Sequence, residues 1–209
     1  MPDANWLDTI YHGLPENLLT PQVPTEPAYL AFLGRTCPEK RVDLAIEIAA
    51  RAGLPLKIAA KVDRADEAYF ANVIQPLLAR PHVEFIGEIN DAQKPGFLSG
   101  ARALLFPIDW SEPFGLVMIE AMACGTPVIA FNRGSVPEVI AHGVTGYIVE
   151  DVSGAVDAVT RLDALSRTDI RAAFMRRFTS VTMAQHYIDI YTSLARTAGP
   201  PTLRQVVAG

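Results

Sequence analysis

Six short apolar runs alternate with stretches of helical periodicity along this 209-residue chain. Most of the runs are continuous rather than alternating, the pattern of strands buried on both faces. Strand–helix–strand units of this kind require a mainly parallel sheet covered by helices. The sequence therefore predicts an α/β fold with six strands, helices on both faces and a helical segment at the C-terminal end.

The first stretch, residues 1–27, has little periodicity and carries Pro15, Pro21, Pro24 and Pro27. It reads as a linker preceding the domain, with Thr9 to Gly13 as a short strand. Leu19 to Pro27 reads as extended chain, because each proline removes an N–H and fixes φ. Order is expected over residues 28–199. Tyr29 to Leu33 is the first strand, ended by Gly34-Arg35. Pro38-Glu39 opens a helix over Lys40 to Arg51, with Gly53 as its stop. Leu56 to Ala60 is the second strand, and Asp63 to Pro76 the next helix. Val83 to Ile86 is the third strand, closed by Gly87. Asp91 to Ser99 is a short helix with Asp91 as its cap. Ala103 to Pro107 is the fourth strand.

The run Ser111-Glu112-Pro113-Phe114-Gly115 then leads into a helix that Gly125 stops. Val128 to Phe131 is the fifth strand, Val136 to Ile140 a short helix and Gly146 to Val149 the sixth strand. Three helices follow, over Ser153 to Leu165, Thr168 to Phe178 and Val181 to Thr197. Gly199-Pro200-Pro201 ends the last, and residues 200–209 read as a loose tail. The whole matches a Rossmann-like, doubly wound sheet, in which ligands bind outside the carboxyl ends of the strands.

Composition narrows the function. The chain is 50% hydrophobic and 20% charged, which suits a soluble domain with a sizeable core. No apolar run reaches the roughly 18 residues a membrane span needs. The N-terminus lacks a basic start and an apolar stretch, so no secretion signal is expected. The net charge of −5 and the lack of a basic run argue against nucleic acid as a partner. Cys37 and Cys124 make no disulfide framework, which points to a reducing, cytoplasmic setting. The four histidines are scattered, so no metal site is expected.

Two loops carry the chemistry. In the first, Pro113 suits a first helical position, and the amides of Phe114, Gly115 and Leu116 follow at a helix N-terminus, where an anion is favoured. Gly115 permits close approach of a ligand to the backbone. Glu112 lies just outside this helix and Glu120 on it. A carboxylate has two acceptor oxygens, enough for both hydroxyls of a ribose. Taken apart from their flanking residues, Glu112 reads as a helix-dipole carboxylate and Glu120 as a solvated helix residue. The second loop is Gly34-Arg35-Thr36-Cys37-Pro38-Glu39-Lys40, after the first strand. It lacks the second glycine of a Walker loop and offers Arg35 and Lys40 for phosphate instead. Either cation alone reads as a surface ion-pair residue. Transfer from a nucleoside diphosphate sugar builds charge on the leaving diphosphate. With no Asp-x-Asp pair in the chain, Arg35, Lys40 and backbone amides are the economical way to stabilise it. Asp63-Arg64-Ala65-Asp66 is spaced differently and reads as a helix cap.

Glu112-Pro113-Phe114-Gly115, with Glu120 and then Ala121-Met122-Ala123-Cys124-Gly125-Thr126-Pro127-Val128, resembles the signature of the group 1 glycosyltransferases. These are retaining enzymes of the two-domain GT-B fold. The resemblance runs from about Tyr29 to about Tyr191. It includes Gly34-Arg35, Pro38-Glu39-Lys40, Val83 to Gly87, Gly134 to Val139 and Gly143 to Gly146. It implies that Arg35 and Lys40 bind the donor diphosphate and Glu112 the donor sugar. Phe114, Gly115 and Leu116 would offer amides, Glu120 would hold the ribose, and Phe85 and Ile86 would lie by the base. A UDP-, GDP- or ADP-sugar is the implied donor, with no further cofactor.

Two positions depart from the pattern: Arg41 replaces the usual glycine after the lysine, and Ala60 stands where glycine is common. Both are expected to tighten the cleft. The resemblance covers only the C-terminal, donor half of such enzymes, so the chain reads as an excised domain or truncated gene product. Its acceptor domain would come from a preceding segment or a partner chain. Phe178, Met183, Tyr187, Ile190 and Tyr191, in the stretch that resembles a returning C-terminal helix, are expected to be left partly exposed. That face would contact the missing half or pair two copies as a homodimer. The alternative is a non-catalytic nucleotide-sugar-binding or interaction module with the same fold.

Overall fold

The computed structural model of the chain describes residues 6–22 and 28–198. Six parallel strands form one sheet: β1 (Tyr29–Arg35), β2 (Leu56–Lys61), β3 (Val83–Gly87), β4 (Ala101–Phe106), β5 (Val128–Phe131) and β6 (Gly146–Val149). Their spatial order is β3-β2-β1-β4-β5-β6, with every neighbouring pair parallel. The order reverses between β1 and β4, the topological switch point of a Rossmann-like sheet. The expected α/β fold is the fold observed.

Side chains of each strand alternate between two cores. Leu30 and Phe32 of β1, Ile58 of β2 and Leu105 of β4 face one side. There they meet α1 (Val42–Ala52) and α6 (Val152–Val159). Ala31, Leu104 and Phe106 face the other. That side is covered by α3 (Lys94–Ser99), α4 (Leu116–Ala123), α5 (Val136–Val139) and α7 (Arg167–Arg177). Burial on both faces is why the strands read as continuous apolar runs.

Several helices differ from expectation, each for a local reason. The helix expected from Lys40 is split. Pro38–Lys40 is a 3-10 turn, and Arg41 adopts a left-handed backbone (φ 53) before α1 begins. Asp63 to Pro76 is a 3-10 turn (Arg64–Asp66), one α-turn, α2 (Glu67–Tyr69), and a π-turn (Phe70–Ile74). A 3-10 turn over Gln75–Ala79 completes it. Pro76 lacks an N–H, and its ring clashes with the carbonyl four residues back, so a regular α-helix cannot run through it. Asp63 does not cap this segment with its side chain. It is taken up by Lys61 at 2.9 Å and Arg35 at 3.5 Å instead.

Asp91 is likewise not the cap of α3. Asn90 Oδ1 accepts from the amides of Ala92 (3.0 Å) and Gln93 (3.2 Å). The helix expected over Ser153 to Leu165 ends at Val159 and resumes as a 3-10 turn, Leu162–Ala164. The hydroxyl of Tyr147 takes the Arg161 carbonyl in between, at 3.0 Å.

The N-terminal stretch is not a strand at Thr9 to Gly13. Among its described residues only Leu14 makes a bridge, to Thr179. Leu19 is fully buried in the α4/α7 core. Arg171 of α7 donates to the carbonyls of Glu16 (2.8 Å), Leu19 (3.0 Å) and Ala123 (2.6 Å). Residues 23–27, within the expected linker, and the tail from 199 onward lie outside the described residues.

The last helix, α8 (Ser180–Ala198), is largely exposed. Tyr187 and Tyr191 are exposed, as expected, and so are Val181, Ile188 and Leu194. Met183 and Ile190 are half-buried. Phe178 is a correction. It is completely buried, because it precedes α8 and packs in a ring cluster with Tyr11 and Phe114. Among the described residues, no helix is long and apolar enough to cross a membrane.

Candidate functional site

The switch point puts the loops after β1 and β4 side by side. The amide of Asp109 donates to the carbonyl of Glu39 at 2.9 Å and ties the two together. Lys40 forms an ion pair with Glu112 across the same seam. Both side chains are largely shielded, with 18% and 11% of their surface exposed, so water screens this pair only weakly. Trp110 Nε1 donates to the same Glu112 oxygen at 2.9 Å. The Lys40 ammonium also lies 5.3 Å from the Trp110 ring centre and 5.4 Å from that of Phe106.

Three residues expected to carry the chemistry thus behave differently. Lys40 and Glu112 come together. Arg35 sits apart at the mouth, with Nη1 3.5 Å from Asp63 and Nη2 3.7 Å from the Cys37 sulfur.

The Glu112 turn is held from below and from the side. Phe114 is buried against Tyr11, His12 and Phe178, so its ring is a floor and only its backbone faces the site. Gly115 has φ 76, and a Cβ there would lie 2.8 Å from Met118 Cε. Ser135, from the loop after β5, donates its amide to the Glu112 carbonyl (3.0 Å) and its hydroxyl to the Phe114 carbonyl (2.9 Å). Gly134 packs its backbone on Glu112 so closely that a Cβ would sit 2.4 Å from the Glu112 amide nitrogen. Among the described residues, no backbone carbonyl accepts from the amides of Phe114, Gly115 or Leu116. They are free donors at the N-terminus of α4, where the helix dipole favours an anion.

A second group lines a cleft of about 220 Å³ beside this turn, including Gly34, Ala60, Glu88, Lys94, Leu116 and Glu120. Glu120 is shielded from solvent and pairs with Lys94 at 2.8 Å, which also reaches Asp91 at 2.9 Å. Burial pulls the Lys94 ammonium down, but the two carboxylates outweigh it and hold it above its ordinary value.

Phe85 and Ile86 lie on β3, two strands from the switch point. The Phe85 ring packs on Phe70 with centroids 5.6 Å apart, and Ile86 points into solvent. Their neighbours Glu88 and Ile89 line the cleft instead. Of the two departures, Ala60 does line the cleft, whereas Arg41 turns away to Asp43 (2.8 Å) and Asp109 (3.4 Å). Among the described residues, no group of three or more His, Cys, Asp or Glu is placed to hold a metal ion.

Trp110, Lys94, Gly134 and Ser135 had no assigned role in the sequence reading. Gly134 and Ser135 lay within a matching run, but Trp110 and Lys94 gave no signal in one dimension.

A doubly wound sheet with free helix amides, a shielded Lys–Glu pair and a second carboxylate at the switch point defines a Rossmann-like α/β fold with a polar cleft at its carboxyl edge. The family model for glycosyl transferases group 1 matches residues 19–177, and the chain belongs to that family. It is 33% identical over 143 residues to the N-acetyl-alpha-D-glucosaminyl L-malate synthase of Bacillus anthracis, covering 63% of this chain and 36% of that protein. It is 28% identical over 176 residues to the D-inositol 3-phosphate glycosyltransferase of Mycolicibacterium smegmatis, covering 77% and 40%.

Among solved structures it resembles AviGT4, a glycosyltransferase involved in avilamycin A biosynthesis. There the TM-score is 0.75 at 28% identity, over 91% of this chain and 58% of that one. The fold is shared with Anabaena Alr3699/HepE, solved in complex with UDP and glucose, at TM-score 0.77 and 22% identity. That match covers 88% of this chain and 56% of the other. The chain spans well under half the length of these two curated relatives.

Proposed function

We propose that this chain is the donor-binding half of a retaining, metal-independent glycosyltransferase, which takes a nucleoside diphosphate sugar and needs a second domain to complete transfer. The observation that carries the reading is the Lys40–Glu112 pair set against the free amides of Phe114, Gly115 and Leu116 at one switch point. A diphosphate needs positive charge and N–H donors, and Lys40 with these amides provides both in a water-poor seam. Arg35, exposed and loosely held, is free to swing onto the same diphosphate. Glu112 accepts from the sugar hydroxyls and Glu120 from the ribose.

The second domain, from the rest of a longer chain or from a partner, brings the acceptor. The outward apolar residues of α8 and the partial coverage of the relatives support this part. Anabaena Alr3699/HepE structures solved with UDP and glucose, with UDP and with UDP-glucose support the donor class.

Calorimetric titration with uridine, guanosine and adenosine diphosphates tests the reading. One of them is expected to bind, Lys40→Ala to abolish that binding, and a chelator to leave it unchanged. No binding by any of the three at millimolar concentration refutes the donor assignment, and loss of binding on chelation refutes the metal-free part.

A further inference from the structure

Lys94 occupies an unusual place. It is the first residue of α3, where the helix dipole disfavours a cation. It is also well shielded, with 19% of its side chain exposed. Two carboxylates from different parts of the chain compensate: Asp91 on the preceding turn at 2.9 Å and Glu120 on α4 at 2.8 Å. Asp91 is available because Asn90, not Asp91, accepts from the amides of the turn before α3.

The contact to Glu120 is one-sided. Lys94 takes Oε1, and no described group takes Oε2. No buried side-chain oxygen or nitrogen among the described residues lacks a partner, so Oε2 is open to the cleft that Glu120 and Lys94 both line.

We infer that Lys94 is a positioning residue for the ribose: by holding Oε1 it fixes the rotamer of Glu120 and presents Oε2 as a single, oriented acceptor for a ribose hydroxyl. The inference rests on the donor reading above and adds a residue that recognises the sugar of the nucleotide indirectly. A carboxylate on a flexible side chain must lose rotamer freedom when a ligand binds, and prior fixation by Lys94 removes that cost. A carboxylate acceptor also makes a stronger hydrogen bond than a neutral one.

The test compares each nucleoside diphosphate with its 2′,3′-dideoxy counterpart, by calorimetry on the full chain. The unsubstituted protein is expected to prefer the ribose form by about tenfold, the value of one charge-assisted hydrogen bond. Lys94→Met is expected to weaken the ribose form until that preference is nearly gone, while affinity for the dideoxy form stays unchanged. Lys94→Arg, which can still reach both carboxylates, is expected to restore most of the preference. Glu120→Gln should reduce it as Lys94→Met does, and the double variant should be no worse than either single one.

Two results overturn the inference alone: Lys94→Met that keeps the full ribose preference, or that weakens both ligand forms equally, as a charge acting on the phosphates would. Absence of binding to any nucleotide by the unsubstituted chain overturns the donor reading and this inference together. Lys94→Leu, which likewise removes the donor, serves if the methionine variant does not fold; a full ribose preference in it also overturns the inference.

Discussion

Gly134 offers the sharpest test of how the site is built. It has a left-handed backbone, φ 53, and lies against the Glu112 turn. A Cβ there would fall 2.4 Å from both the amide nitrogen and the carbonyl oxygen of Glu112, and 2.8 Å from the carbonyl carbon of Ser111. All three are backbone atoms, which cannot rotate away.

Gly143 is the natural control, with φ 77 and nothing within 4 Å of the added carbon. Alanine at either position meets the left-handed penalty of about 1–2 kcal/mol. Only Gly134→Ala adds a forced displacement of packed atoms, typically about 1–3 kcal/mol. The two variants should therefore differ by about that second amount, seen as a lower urea midpoint at unchanged slope. In melting temperature the gap is about 2–12 °C for a domain of this size.

Gly134→Ala should also weaken nucleotide-diphosphate binding, since the displaced backbone carries Glu112 and the amides after it. Gly143→Ala should bind normally. Equal midpoints for the two variants, or an unshifted binding constant in Gly134→Ala, would refute the claim that the β5 loop braces the Glu112 turn.

Other consequences follow from the same geometry. Arg171→Ala removes the guanidinium that joins Glu16, Leu19 and Ala123, and should cost about 2–3 kcal/mol by urea denaturation. Limited proteolysis should then cut the stretch before residue 22 faster than in the unsubstituted chain. Burial, and then the Asp43 carboxylate, pushes the Tyr69 phenol up from 10.0 to about 12. The folded state thus holds its proton more tightly than the unfolded one, and that part of the stability is full below pH 10 and lost as pH rises towards 12. Tyr69→Phe should flatten the fall over this window, and an unchanged slope would count against the assignment. Burial raises the Cys124 thiol to about 11 and also lifts Cys37. Since the thiolate is the reacting form, neither should be alkylated at neutral pH until the chain is unfolded.

The strands were legible because their chemistry is local. A run such as Tyr29 to Leu33 is apolar at every position only if both faces are covered, and this one physical condition implies the parallel sheet. The positions of Gly34, Gly115 and Glu120 at the carboxyl edge followed from it. Helix boundaries were less legible. Nothing in the order of residues announces that Arg41 will adopt a left-handed backbone, or that Asn90 rather than Asp91 will hold the amides of the turn before α3. These outcomes depend on which carboxylate is drawn into another ion pair, and the partners are distant in sequence: Arg41 with Asp109, and Lys94 with Glu120. The burial of Phe178 is illegible in the sequence for a related reason. An aromatic residue at a helix junction has the same periodicity whether it faces solvent or, as here, the rings of Tyr11 and Phe114.

The sequence by itself determined the fold class, the order of its elements and the loops at which chemistry is possible, because hydrophobic periodicity and turn residues act over a few positions. The tertiary structure decided which charges meet. It paired Lys40 with Glu112 and left Arg35 at the mouth. It placed Lys94 on one oxygen of Glu120 and closed the Glu112 turn with Gly134 and Ser135. Such contacts join residues 21 to 72 positions apart, and their strength depends on distance and shielding from water. Neither quantity exists until the sheet has brought the loops together.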